Sequence, residues 1–162
     1  LLWKGRKNAF GAVGRISPTY YVQDGVGPRT RIADTLRFIH KTSKKYDIQI
    51  SNIFHAGDGN MHPILLFDDR DADQLKRTKQ AGTEILQYCI DAGGVITGEH
   101  GVGMEKNDLM PLLFTEDSLD MMERLIKVLN PDRLLNPGKL FATGKGCLEI
   151  RPIPTRHKTT AW

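Results

Sequence analysis

The run His55-Ala56-Gly57-Asp58-Gly59-Asn60-Met61-His62, answered downstream by Gly98-Glu99-His100-Gly101, gathers the residue types that do chemistry. Two histidines and a carboxylate make a metal site with coordination positions left open. The surrounding glycines let the backbone turn sharply and let a ligand approach closely. A hairpin with Gly57-Asp58-Gly59-Asn60 as its loop would set Ala56 opposite Met61 and His55 opposite His62. Directly opposed residues point to one side with Cβ atoms about 5 Å apart, so the two imidazoles could share one ion. A one-residue slip of register would send them to opposite faces. Glu99 is the candidate third ligand. In an extended segment Glu99 and His100 alternate sides, so one could bind the metal while the other faces a separate pocket.

Other residues carry weaker signals. Arg6 could clamp a carboxylate in a bidentate fork, or serve as an ordinary surface charge on a helix. Of Tyr20 and Tyr21, one could hold a substrate oxygen while the other packs in the core. Asn60 either caps its own turn or donates to a ligand. Lys106 either reaches an anion or lies on the surface.

The elements that must position these groups follow from periodicity and punctuation. Residues 1–14 read as a helix weakened by Gly5, Gly11 and Gly14. Thr19 to Val22 is rich in strand formers and ends at Asp24-Gly25. Pro28 opens a helix reaching about Tyr46. Ile48 to Phe54 and Pro63 to Phe67 read as strands. The stretch from Asp68 to Asp71 starts a helix that runs to about Asp91, stopped by Gly93-Gly94. Val95 to Thr97 is a short strand. The order β-α-β-β-α-β over 19–97 is the split-βαβ pattern. It predicts an α+β fold: a ferredoxin-like antiparallel sheet with both helices on one face, followed by a C-terminal helical segment. The sheet's other face would be free to cover something else. Ser118 to Leu129 is an amphipathic helix with Leu119, Met122, Leu125, Ile126 and Leu129 facing inward. Asn136-Pro137-Gly138-Lys139 suits a type II turn.

Composition excludes several classes. The chain has 162 residues and a net charge of +4, which fits one compact domain with a real core. Its late basic residues, Lys139 to Lys158, lack interleaved aromatics and read as a solvated tail, so no nucleic-acid partner is expected. No apolar run approaches the ~18 residues of a membrane span. With two cysteines and no spacing motif, Cys89 on an apolar helix face reads as a buried reduced thiol. A cytoplasmic protein is the expectation. Without an initiator Met, the chain reads as a fragment or a processed product.

Four blocks in order carry a family resemblance: Tyr20-Tyr21 with Asp24 and Pro28-Arg29; His55 to His62; Gly98-Glu99-His100-Gly101-Val102-Gly103; and Asn136 to Lys139. Together they make residues 6–141 resemble the C-terminal part of FAD-linked oxidases of the vanillyl-alcohol-oxidase-like superfamily. The nearest likeness is to glycolate oxidase flavin subunits and to D-lactate and D-2-hydroxyglutarate dehydrogenases. The resemblance implies a substrate-capping domain and a helical segment that returns to the FAD domain. It implies a divalent metal, with zinc a candidate, on His55, His62 and Glu99. His100 would be the catalytic base, and Arg6, Tyr21 and Asn60 substrate contacts. Asn136, Gly138 and Lys139 would lie near the flavin.

The expected organisation is an entering helix at 1–18, a cap domain at 19–103, a helical segment at 104–141 and a flexible basic tail at 142–162. Ile64 and Phe10 stand where the 2-hydroxyglutarate branch has polar residues, which favours glycolate or D-lactate as substrate. No glycine-rich pyrophosphate loop precedes a helix. FAD would therefore be held mostly by a domain upstream that this chain lacks, and the isolated chain would be inactive. Other oxidase subunits are candidate partners. The chemistry implied is removal of a hydroxyl proton by His100 and hydride transfer from a small 2-hydroxy acid to flavin. The competing readings are a flavin-free metal-binding or hydrolytic module and a ferredoxin-like interaction domain without chemistry.

Overall fold

The computed structural model describes residues 2–141, without the side chains of Leu2 and Arg6. The expected basic tail, Cys147 and the carboxylate-clamping group of Arg6 lie outside the described residues. The chain divides into two compact units, Leu1–Gly101 and Val102–Trp162.

In the first unit the expected leading helix is two short ones, α1 (Leu2–Lys7) and α2 (Ala9–Val13), separated at Asn8. Strands β1 (Thr19–Val22) and β2 (Gly25–Val26) follow. A 3-10 turn at Arg29–Arg31 leads into α3 (Ile32–Tyr46), and then come β3 (Gln49–His55), β4 (Asn60–Phe67) and α4 (Ala72–Asp91). Helix α4 starts where Asp71 accepts the backbone N–H of Asp73 and Gln74, and the chain leaves it through Gly93 at φ 87°.

Strand β4 is the centre of the sheet. It pairs antiparallel with β3 on one edge and with β1 and β2, in succession, on the other. The partners Val22↔Ile64 and Gly25↔Met61 keep one continuous register, so β1 and β2 are a single strand interrupted opposite Pro63. Proline has no N–H to give, and that rung of the ladder is half made: Gln23 N–H donates to the Pro63 carbonyl and receives nothing back from the proline nitrogen.

The expected α+β architecture holds. Its fourth strand, however, shrinks to a single antiparallel bridge between Val95 and Val26. Every residue of β4 is buried. On one face Met61 and Leu65 pack with Ile39 of α3 and Ile85 and Ala81 of α4. On the other, Ile64 and Leu66 pack against Val13 of α2. The second face is therefore not wholly free: α2 covers its apolar end, and the His62 end carries polar groups. Ile64 is a fully buried core residue under Val13.

The second unit holds a 3-10 turn at Asn107–Leu109, α5 (Met110–Leu113) and α6 (Glu116–Leu129). Thr115 caps α6 by accepting the N–H of Ser118. The inward face expected for α6 is only half realised. Leu119, Met122 and Ile126 are partly buried, but Leu125 and Leu129 are exposed, as are Met121 and Val128. Asn136 to Lys139 forms the expected type II turn: Gly138 takes φ 78° and Lys139 N–H donates to the Asn136 carbonyl at 3.3 Å.

Candidate metal and substrate site

The β3–β4 hairpin turns one position earlier than its sequence suggests. Its loop is residues 56–59, so His55 faces Asn60 and Ile53 faces His62. Sliding the loop by one lowers the sum of paired positions by two, which preserves the parity of the faces. His55 and His62 thus stay on one face, as diagonal rather than direct neighbours, with ring centroids 5.3 Å apart. The tight return depends on Gly59: it takes φ +75°, and a Cβ there would meet the Gly27 carbonyl oxygen at 2.1 Å.

His62 is the buried member, and its ring is oriented from behind. Nδ1 lies 3.4 Å from the Gln23 carbonyl, the group that Pro63 leaves without its ladder donor. A carbonyl only accepts, so this contact places the His62 proton on Nδ1 and turns the Nε2 lone pair outward. Nε2 then faces Glu99 Oε1 at 3.0 Å. The same Glu99 oxygen lies 3.6 Å from His55 Nε2 and 3.6 Å from His100 Nε2. A lone pair facing a carboxylate at this distance needs a proton or a cation between the two.

The opposite-sides expectation for Glu99 and His100 does not hold. Both side chains point to one centre, and the His100 ring stacks on His62 with centroids 4.9 Å apart and planes 14° apart. The segment is not extended, because Asp24 gathers it. The Asp24 carboxylate is fully buried and accepts from the Thr97 hydroxyl at 2.7 Å and from the backbone N–H of Gly98, Glu99 and His100 at 3.0, 3.1 and 2.8 Å. Three successive N–H groups aimed at one carboxylate describe a turn, not a strand. Gly98 is required for space: a Cβ there would come within 2.7 Å of both the Asn60 amide nitrogen and Val26 Cγ2. It is Gly101 that takes the positive φ, 82°.

Two donor sets are close enough for a metal ion: His55, His62 and Glu99, and Asp24, His62 and His100. The first is the better one. Asp24 already has four donors, and His62 Nδ1 is turned to Gln23, whereas the Nε2 atoms of His55 and His62 converge on Glu99. Asn60 fits the same setting: it is buried on the His62 face, and its Oδ1 has no hydrogen-bond partner among the described residues. His55, Glu99 and His100 are roughly half exposed while His62 is buried, so the cluster opens to solvent on one side.

Two sequence expectations fall outside this centre. Tyr21 packs with Ile48, Leu65 and Ala81 on the helix side of the sheet, so it is not the tyrosine on the histidine face. Its neighbour Tyr20, opposite Leu66 and 45% exposed, occupies that face. Lys106, in the second unit, is buried rather than on the surface. Asp24 is the residue to which sequence reasoning gave no role, having read it as a strand end and as part of a family block. An acid placed just after a run of strand formers was the available signal; its register with His62 emerges only in the sheet.

This His/His/Glu arrangement sits in a chain whose residues 1–140 match the family described as FAD linked oxidases, C-terminal domain. The chain belongs to that family. Among its FAD-linked oxidase relatives, glycolate oxidase subunit GlcD of Escherichia coli strain K12 is 44% identical over 155 residues, 96% of this chain and 31% of the relative. The same subunit of Bacillus subtilis strain 168 is 40% identical, covering 87% of this chain and 30% of the relative. The mitochondrial D-lactate dehydrogenase (cytochrome) of Arabidopsis thaliana is 30% identical, covering 86% and 25%. This FAD-linked oxidase domain thus spans about a third or less of the length of these relatives. Among the described residues no helix is long and apolar enough to cross a membrane.

Proposed function

We propose that this chain is the substrate-capping C-terminal part of an FAD-dependent oxidoreductase that oxidises a small 2-hydroxy acid of the glycolate or D-lactate type. The observation that carries the reading is the convergence of His55, His62 and His100 Nε2 on one Glu99 oxygen, in a chain of the FAD-linked oxidase family. The names of the relatives, glycolate oxidase subunit and D-lactate dehydrogenase, support the substrate class.

His55, His62 and Glu99 are the proposed ligands of a divalent ion, zinc being a candidate. When bound, that ion supplies Lewis acidity and the flavin a hydride acceptor. His100, stacked on His62 and open to solvent, is the proposed base that takes the proton of the substrate hydroxyl. Asn60 Oδ1 offers a buried acceptor that a substrate or its water can satisfy. Arg6 remains the proposed carboxylate clamp.

The Asn136–Lys139 turn is largely exposed, and the Lys139 ammonium donates to its own Asn136 at 3.0 Å. FAD is therefore assigned mainly to a domain upstream, with Asn136, Gly138 and Lys139 at its border. The exposed leucines and methionine of α6 are consistent with a helical segment at 104–141 that returns to that domain. The cap is assigned to 19–103, and other oxidase subunits are assigned as partners.

The test is anaerobic mixing of the full-length protein with glycolate and D-lactate while flavin absorbance is followed. Flavin bleaching by one of them, and its loss by a factor of 100 or more in His100→Ala, is expected, the size typical of a removed general base. Unchanged bleaching in His100→Ala overturns the base assignment; no bleaching by any 2-hydroxy acid overturns the reading.

A further inference from the structure

We infer that Asp24 is a positioning residue that assembles the ion-binding centre, acting through the backbone of Thr97 to His100 and not as a ligand. The inference rests on the metal-site reading above.

The sheet puts Asp24 in register with His62 on the same face, and its Oδ1 lies 3.9 Å from His62 Nδ1. Its side chain is fully buried, and burying an unpaired carboxylate is costly. Here the cost is met by the loop that carries Glu99 and His100. Oδ2 takes the Thr97 hydroxyl and the N–H groups of Gly98, Glu99 and His100, and the Thr97 hydroxyl oxygen in turn accepts the N–H of Gly101 at 2.8 Å. The donors lie 73 to 76 residues further along the chain. Beyond the Thr97–Gly101 bond no regular secondary structure holds that loop in such a shape, since three consecutive amides pointing inward is neither helix nor strand.

Two consequences bear on the ion. The amide fan fixes the backbone from which the Glu99 and His100 side chains spring, and so brings both onto the Nε2 side of His62. The buried negative charge behind the His62 ring also favours a cation in front of it, in a setting where low dielectric strengthens the interaction. Oδ2 is taken up by these donors and Oδ1 lies 3.9 Å from His62 Nδ1, so Asp24 acts from the side of the ring away from Nε2 and Glu99.

The experiment measures affinity of the full-length protein for Zn²⁺ alone, by competition with a chromophoric chelator, and records the visible spectrum of the Co²⁺ form. Wild type, Asp24→Asn and Thr97→Val are compared at a temperature where circular dichroism shows each folded. Asp24→Asn keeps the shape but brings an NH₂ and removes the charge; affinity is expected to fall about 10- to 100-fold, as for lost outer-shell partners of metal ligands. Thr97→Val removes one donor from Asp24 and one acceptor from Gly101, and a smaller loss with an altered Co²⁺ spectrum is expected. It keeps the test decisive if Asp24→Asn does not fold. Wild-type affinity and spectrum in the folded variants overturn the positioning role while leaving the metal site standing. Absence of tight binding in wild type overturns both.

Discussion

His62 Nε2 and Glu99 Oε1 face each other at 3.0 Å, the first from a buried ring and the second from a half-exposed carboxylate. One comes from the central strand and the other from a loop held over it, so their meeting is a product of the tertiary fold. Glu99→Gln keeps the shape and removes the charge. It is expected to weaken Zn²⁺ binding at least 100-fold while moving the melting temperature of the metal-free protein by no more than a few degrees. Titration calorimetry and a thermal scan read the two effects separately.

The two hairpin histidines should differ in what they cost the fold. His62 is 5% exposed at its side chain and His55 is 40%. His62→Ala opens a cavity and leaves the Gln23 carbonyl without its His62 partner, so a loss of about 2 kcal/mol is expected. His55→Ala should cost less than about 0.5 kcal/mol, as surface substitutions do. Urea unfolding of the metal-free proteins checks the order; equal losses would refute the assigned burial.

Gly98→Ala tests the close approach of loop to sheet. Its added methyl would overlap the Asn60 amide and the Val26 side chain, each at 2.7 Å. The expected result is a destabilisation of about 1–3 kcal/mol, the range for overpacking, together with weaker metal binding as Glu99 is carried outward. A neutral effect on both measurements would show that the loop has room to spare.

Cys89 is buried against the sheet, and burial pushes its thiol up to about 11. The sign follows from linkage. The folded protein holds this proton more tightly than the unfolded chain, whose thiol has the ordinary value of 9.0. Stability from this group is complete below pH 9 and is lost as pH rises from 9 to about 11, by on the order of 2–3 kcal/mol. A thiol reagent at pH 8 should modify Cys89 only at the rate of unfolding, and Cys89→Ala should flatten the alkaline limb of the stability profile.

Much of this fold is written in local signals. The α4 helix could be read from Asp71 at its start, the apolar series Leu75 to Cys89 and Gly93-Gly94 at its end, because caps and periodicity are short-range physics. The hairpin and its shared histidine face were legible for the same reason, though the loop slid by one position where Gly59 met the Gly27 carbonyl. What escaped the sequence was long-range. Whether Tyr20 or Tyr21 faces the histidines depends on which face α4 covers. Whether Glu99 and His100 diverge or converge depends on Asp24, more than seventy residues earlier. The fourth strand dwindled to Val95 because the chain is drawn off at once into the Asp24 turn.

On the proposed metal site, that turn would also tie ion occupancy to mechanical integrity. His55 and His62 belong to one hairpin, while Glu99 belongs to a loop joined to the sheet at the Val95–Val26 bridge and at the backbone and side chain of Asp24. An ion held between them is a reversible clasp across a gap of nearly forty residues. By mass action, free ion at 100 times its dissociation constant would add about 2.7 kcal/mol to the folded state. Metal starvation would then act on this protein twice, emptying its chemistry and loosening the loop that a protease would find first.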